Sequence, residues 1–213
     1  MSIKNNILKI KSQVAAINPQ AKIMAVTKNQ PINNIMAVIN AGINIIGENK
    51  WQEFEKKFVK THCNASFHFI GNLQTNKVKD VIKYFNCIQS INSLRLAKKI
   101  DSECEKINKI ISVMIEINIS RDKNKSGILP EDLDSLIKEI AQLKNIKLIG
   151  LMTITACEDK EKVRADFKSM KKLFDQYKDQ YNLTELSMGM SSDYKIALEE
   201  GATIVRIGRA IFQ

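Results

Sequence analysis

The sequence predicts a (β/α)8 barrel, and three observations carry that expectation. About eight short apolar segments alternate with longer amphipathic ones along the 213 residues. This alternation implies a parallel sheet with right-handed crossovers, and eight such units close naturally on themselves. The turn after the first apolar segment, Thr27-Lys28-Asn29-Gln30, contains no glycine. An open doubly wound sheet, the competing architecture, carries a glycine-rich dinucleotide turn there. Finally, polar and small residues gather at the C-terminal ends of the expected strands, where such barrels place their sites. They are Lys28, Asn49, Gly71, Asn72, Ser90, Asn118, Met152, Thr153, Ser187, Arg206 and Gly208.

Each element has a local reason. Ile3, Ile7, Ile10 and Val14 recur at helical spacing, so a first helix is expected from Ile3 to Ala16. Strands are expected at Ile23–Val26, Ile43–Ile46, Phe67–Ile70, Cys87–Gln89, Ser112–Ile117, Lys147–Leu151, Glu185–Ser187 and Ile204–Ile207. Helices are expected between them at Ile32–Asn40, Lys50–Val59, Thr75–Tyr84, Ser93–Lys106, Pro130–Leu143, Glu161–Tyr181 and Asp193–Glu200. Pro31 sits at a helix start, where its missing N–H costs nothing. Ser191, Ser192 or Asp193 can cap the last of these helices, and Gly201 can end it.

The densest chemistry lies in Leu186-Ser-Met-Gly-Met-Ser-Ser-Asp193 and Ile204-Val-Arg-Ile-Gly208. Gly189 and Gly208 let the backbone approach a ligand closely. Strand-to-helix turns of this kind offer backbone N–H groups that suit a phosphate, though they are also ordinary connections. Arg206 ends its strand, where a buried guanidinium can meet a ring nitrogen or an anion. Lys28 ends Lys22-Ile-Met-Ala-Val-Thr-Lys28. In a partly apolar pocket such an amine loses its proton more easily and can form an imine; elsewhere it is a solvated charge. Asn49 suits a helix cap as well as a ligand, and Met152 suits a gap in the core. His68, flanked by Phe67 and Phe69, reads as a hydrogen-bonded barrel residue rather than a base.

Composition narrows the function classes. One domain over residues 1–213 is expected, with 44% hydrophobic and 26% charged residues. No run approaches the ~18 apolar residues of a membrane helix, and Met1-Ser-Ile-Lys-Asn-Asn has no signal core. A cytoplasmic protein without a membrane partner is expected. Cys63, Cys87, Cys104 and Cys157 form no Cys-x-x-Cys pair, and His62 and His68 are the only histidines, so no metal site is expected. Net charge is +10, which invites a nucleic-acid reading. Only five of the 33 basic residues are arginine, and no aromatic stacking platform accompanies them, so specific nucleic-acid binding is not expected.

Seven motifs, in order, resemble the YggS/PROSC family of pyridoxal-phosphate homeostasis proteins. They are Ala25-Val-Thr-Lys28, Gly47-Glu-Asn49, His68-Phe-Ile-Gly-Asn-Leu-Gln-Thr-Asn-Lys77, Lys125-Ser-Gly127, Gly150-Leu-Met-Thr-Ile154, Leu186-Ser-Met-Gly-Met-Ser191 and Arg206-Ile-Gly208. The resemblance implies a barrel like the N-terminal domain of alanine racemase, with pyridoxal 5'-phosphate (PLP) held as an imine on Lys28. It further implies a cofactor site of Lys28, Asn49, Met152, Ser187, Met188, Ser191, Arg206, Gly208 and Arg209. Ser187, Ser191 and the backbone around Gly208 would hold the phosphate, and Arg206 would face the pyridine nitrogen. The family usually has threonine where this chain has Arg209, which either contacts the phosphate or points to solvent. Racemases add a second domain and an opposing tyrosine. Gln213 follows the final strand closely and no tyrosine is evidently placed as that base. The expectation is therefore a monomeric carrier without catalytic turnover, able to serve PLP-dependent apoenzymes as recipients; a weak PLP enzyme is the alternative.

Overall fold

Eight parallel strands close into a barrel in the computed structural model, which describes residues 2–58, 63–155 and 159–213. The strands are β1 (Lys22–Val26), β2 (Ile45–Glu48), β3 (Ser66–Phe69), β4 (Cys87–Ile91), β5 (Ile111–Ile117), β6 (Ile146–Thr153), β7 (Glu185–Ser187) and β8 (Ile204–Ile207). Each pairs with the next, and β8 returns to β1 through Lys22↔Ile204, Ile23↔Val205, Met24↔Arg206 and Ala25↔Ile207. The helices are α1 (Ile3–Ile17), α2 (Ile32–Asn40), α3 (Trp51–Phe58), α4 (Val78–Tyr84), α5 (Leu94–Glu105), α6 (Leu133–Ile140), α7 (Lys160–Tyr181), α8 (Tyr194–Glu199) and α9 (Arg209–Phe212).

The expected fold class is the observed one; the differences lie at element edges. The second strand runs two residues later than expected. Ile43 closes α2, its N–H bonding Val38 O, while Gly47 and Glu48 pair with His68 and Phe69. The sixth expected helix begins as a single 3-10 turn at Pro130–Asp132 before α6. The short α9 was not expected; Ile211 buries its apolar side. Val59, His62 and Cys157 lie outside the described residues. Cys63, Cys87 and Cys104 are free thiols. No helix among the described residues is long and apolar enough to cross a membrane.

Strand side chains alternate between two cores. Ala25, Ile46, Phe67, Ile88, Val113, Leu151, Leu186 and Val205 join the large cluster under the helices. Met24, Cys87, Met114, Met152 and Ile204 form a separate, sulfur-rich layer that fills the barrel's interior. Burying such a side chain contributes about 1.5–3 kcal/mol, so this layer also closes the barrel floor beneath the site.

Candidate active site

The site is built on the interior positions two residues beyond the sulfur layer. Val26 follows Met24, Gln89 follows Cys87, Glu116 follows Met114, Ile154 follows Met152, and Arg206 follows Ile204. Residues spaced by two share a sheet face, so a mixed layer holding the polar side chains of Gln89, Glu116 and Arg206 follows the sulfur layer. Above it opens a cavity of about 320 Å³, walled by Val26, Ile70, Ile154 and Met190 and by the polar groups of Lys28, Asn49, Asn72, Glu116, Lys125 and Arg206, among others.

Lys28 lies two residues past β1, in a turn fixed from below. Thr27 Oγ1 donates to Glu48 Oε1 at 2.6 Å, Lys57 Nζ donates to the same oxygen at 3.0 Å and to Thr27 O at 3.1 Å, and Gln30 N–H donates to Thr27 O. Burial holds the Glu48 carboxyl above its ordinary range, against the pull of Thr27 and Lys57. The Lys28 side chain itself is exposed at the cavity rim and has no hydrogen-bond or ion-pair partner among the described residues.

Arg206 is only 3% exposed. Its Nη1 donates to Ser187 Oγ at 2.9 Å and its Nη2 to Thr153 O at 2.7 Å. Burial lowers its pKa to about 10, with Asp193 and Glu116 opposing, so it remains a cation at neutral pH. Among the described residues Glu116 is the one acid lining the cavity; burial raises its pKa to about 7 while Arg206 pulls it down.

The turn after β7 owes its shape to Gly189, at φ +89°. A Cβ there would come within 2.5 Å of Ala197 Cβ, so this glycine admits α8 rather than a ligand. Asp193 Oδ1 accepts the Met190 N–H at 2.5 Å instead of capping α8. Ser191 Oγ accepts the N–H groups of Gly208 at 3.3 Å and Ala210 at 3.2 Å. Two backbone donors thus converge on one oxygen, an arrangement suited to an anionic oxygen as well.

The opposite wall is the loop from Asn118 to Gly127. Asn118 Nδ2 donates to Asp122 O at 2.8 Å, and its Oδ1 accepts the Asp122 N–H at 3.2 Å. Gly127, at φ +107°, lies so near that a Cβ would sit 2.7 Å from Asn118 N. This loop carries Asn124, Lys125 and Ser126 to the cavity.

Of the expected site residues, Lys28, Asn49 and Arg206 line the cavity together. Asn49 brings a buried Oδ1 with no hydrogen-bond partner among the described residues. The others stand elsewhere. Met152 is fully buried in the sulfur layer. Ser187 is fully buried and outside the cavity lining, its hydroxyl accepting from Arg206 and donating to Gln89. Met188, one residue on, joins the outer core, and its N–H bonds Ile204 O. Arg209 opens α9 with its side chain exposed, away from the cavity lining. Gly208 and Ser191 meet each other outside this lining, and Ser191 lines a second cavity with Asn6, Gln13 and Ala210. Glu116 and Asn124 were missed; the two-residue step from Met114 was the available signal for Glu116.

The family profile described as alanine racemase, N-terminal domain, matches residues 1–213. The pyridoxal phosphate homeostasis protein of Aquifex aeolicus is 41% identical over 196 residues, 90% of this chain and 86% of that protein. The chain belongs to the family of pyridoxal phosphate homeostasis proteins. The family member of Synechocystis is 36% identical over 93% of this chain and 94% of its own length. Among solved structures, PipY of Synechococcus elongatus without PLP superposes with a TM-score of 0.93 at 30% identity, covering 100% of both chains. The same protein with PLP bound superposes with a TM-score of 0.91. An alanine racemase of Clostridium difficile, 16% identical, shares the fold with a TM-score of 0.80 over 99% of this chain and 56% of its own. Homeostasis proteins of this family thus consist of the racemase-like barrel over most of their length.

Proposed function

We propose that this protein binds PLP through Lys28 and carries it, in the cytoplasm and as a monomer, toward apoenzymes that need it. The observation that carries the reading is the pairing in one cavity of an exposed, unpartnered amine with a buried, fixed guanidinium. PLP supplies an aldehyde that condenses reversibly with an amine and releases water. Lys28 is the amine, held on a turn that cannot drift. Arg206 would face the ring nitrogen; a cation there would disfavour ring protonation and make the ring a poorer electron sink. Ser191 and the amides of Gly208 and Ala210, which here donate to the Ser191 hydroxyl, would hold the phosphate, and Asn49 would offer its buried Oδ1 to the cofactor. Ser187, Met152 and Met188 are left out of direct contact by their burial, and Arg209 by its exposure.

The reading is tested by incubating the protein with PLP, recording the visible spectrum, and reducing with borohydride before peptide mass mapping. A pyridoxyl mass on Lys28 is expected. Adducts spread over other lysines, or none, refute it.

Glu116 favours a second reading, weak amino-acid turnover, because it places a proton-holding carboxyl in the cavity. Deuterium exchange at the α-carbon of free amino acids, lost in Glu116→Gln, would establish that reading. Absent exchange keeps the carrier.

A further inference from the structure

Below Arg206, a row of buried polar side chains crosses the barrel. Arg206 Nη1 donates to Ser187 Oγ, Ser187 Oγ donates to Gln89 Oε1 at 2.8 Å, and Gln89 Nε2 meets His68 Nδ1 at 2.9 Å. His68 Nε2 meets Ser66 Oγ at 3.2 Å. Ser187 and Gln89 have no solvent exposure, and His68 has 7%. We propose that Gln89 and His68 are positioning residues that fix Arg206 through Ser187, holding the guanidinium at the floor of the cavity.

The direction of every bond follows from Arg206. A guanidinium only donates. Ser187 Oγ therefore accepts from it and directs its own proton to Gln89 Oε1. That turns the Gln89 amide so that its NH2 faces His68 Nδ1, which must be a lone pair. The imidazole proton then sits on Nε2 and goes to Ser66. The row has one consistent orientation, and a neutral imidazole is required at its end. Burial, and after it Lys22, depress the His68 pKa to about 4, which keeps the ring neutral.

An uncharged row of this length costs desolvation at every member unless each is satisfied. The layer beneath shows that the barrel can be filled with apolar side chains instead. The row therefore does something packing does not. It commits one side of the guanidinium to Ser187 while Thr153 O holds the other amino group. Two fixed bonds to a planar fork leave the plane no freedom to swing. A neutral row also adds no counter-charge, so the cation keeps its full effect on whatever occupies the cavity.

The inference rests on the PLP reading for its functional consequence, but its structural core is testable without cofactor. In cofactor-free protein, the Arg206 guanidinium N–H signals should exchange slowly by 15N NMR. Gln89→Met and His68→Phe keep the volume and break the row. Each should speed Arg206 exchange about two- to tenfold, the scale of one lost neutral hydrogen bond. His68→Asn should restore slow exchange, since its Oδ1 can replace Nδ1 as acceptor. With PLP loaded, the breaking variants should move the pH midpoint of the visible band by about 0.5 unit or more while the borohydride adduct stays on Lys28. Ser187→Ala, which deletes a single oxygen, makes the same break if the larger substitutions do not fold. Wild-type exchange and an unmoved midpoint in folded breaking variants overturn the proposal. A wild-type protein that takes up no PLP refutes the carrier reading instead, and the exchange rates still judge the row.

Discussion

Lys28 and Arg206 are cations at the ends of neighbouring strands, and the barrel treats them in opposite ways. The Lys28 backbone is pinned through Thr27, Glu48 and Lys57, yet its amine is free. The Arg206 guanidinium is itself pinned, buried and hydrogen-bonded on two sides. A group that must form and break a bond needs a fixed base and a mobile tip. On the PLP reading, a group that sets the electrostatics of a ring needs a fixed tip. The same charge therefore requires different surroundings.

Lys28→Ala breaks the first half of the contrast most completely. Covalent capture of PLP should vanish, read as loss of the borohydride-fixed mass, while the unfolding free energy in urea moves by no more than ~0.5 kcal/mol, as for an exposed side chain. A large stability loss would mean that the amine has a structural partner. Arg206→Met should do the reverse. It abandons Ser187 and Thr153 O, and should cost roughly 1.5–3 kcal/mol of unfolding free energy in urea, with cofactor uptake through Lys28 weakened but present.

Glu116 sharpens the contrast through pH. Its folded pKa of about 7 lies above its ordinary value. The folded state thus binds the proton more tightly than the unfolded chain does, and stability falls as pH rises from about 4.5 through about 7. Glu116→Gln should remove this decline. Relative to wild type it should gain on the order of 1–3 kcal/mol at pH 8 over pH 4.5, measured by urea unfolding at both. Parallel profiles for the two proteins would show that the carboxyl does not carry this penalty. The smallest effect belongs to Arg209→Ala. An exposed side chain away from the cavity should leave PLP affinity and stability within ~0.5 kcal/mol of wild type; a larger fall in affinity would return Arg209 to the phosphate.

The barrel was legible because its strands announce themselves as short apolar runs between helical stripes, and because such runs can close in few ways. Lys28 and Arg206 were legible as strand-end cations. What motif position alone did not convey was the face. Ser187 and Met188 are adjacent, so at most one can point inward; Ser187 does, and Met188 meets the helices. The same two-residue step reveals Glu116 and Gln89 as interior groups once Met114 and Cys87 are known to be interior. For Arg209 the sequence leaves two orientations open, because it gives little warning of a helix as short as α9; the side chain at the start of that helix is exposed.

The loop carrying Lys125 closes upon itself. Asn118 grips Asp122 from both ends of its amide, and Gly127 returns the chain to Asn118, so the wall's fold is specified within about ten residues. A wall written so locally is a replaceable part. Substitutions at Asn124, Lys125 or Ser126 can alter what the cavity admits while the barrel beneath keeps its strand register, and selectivity can drift in evolution without disturbing the turn that carries Lys28.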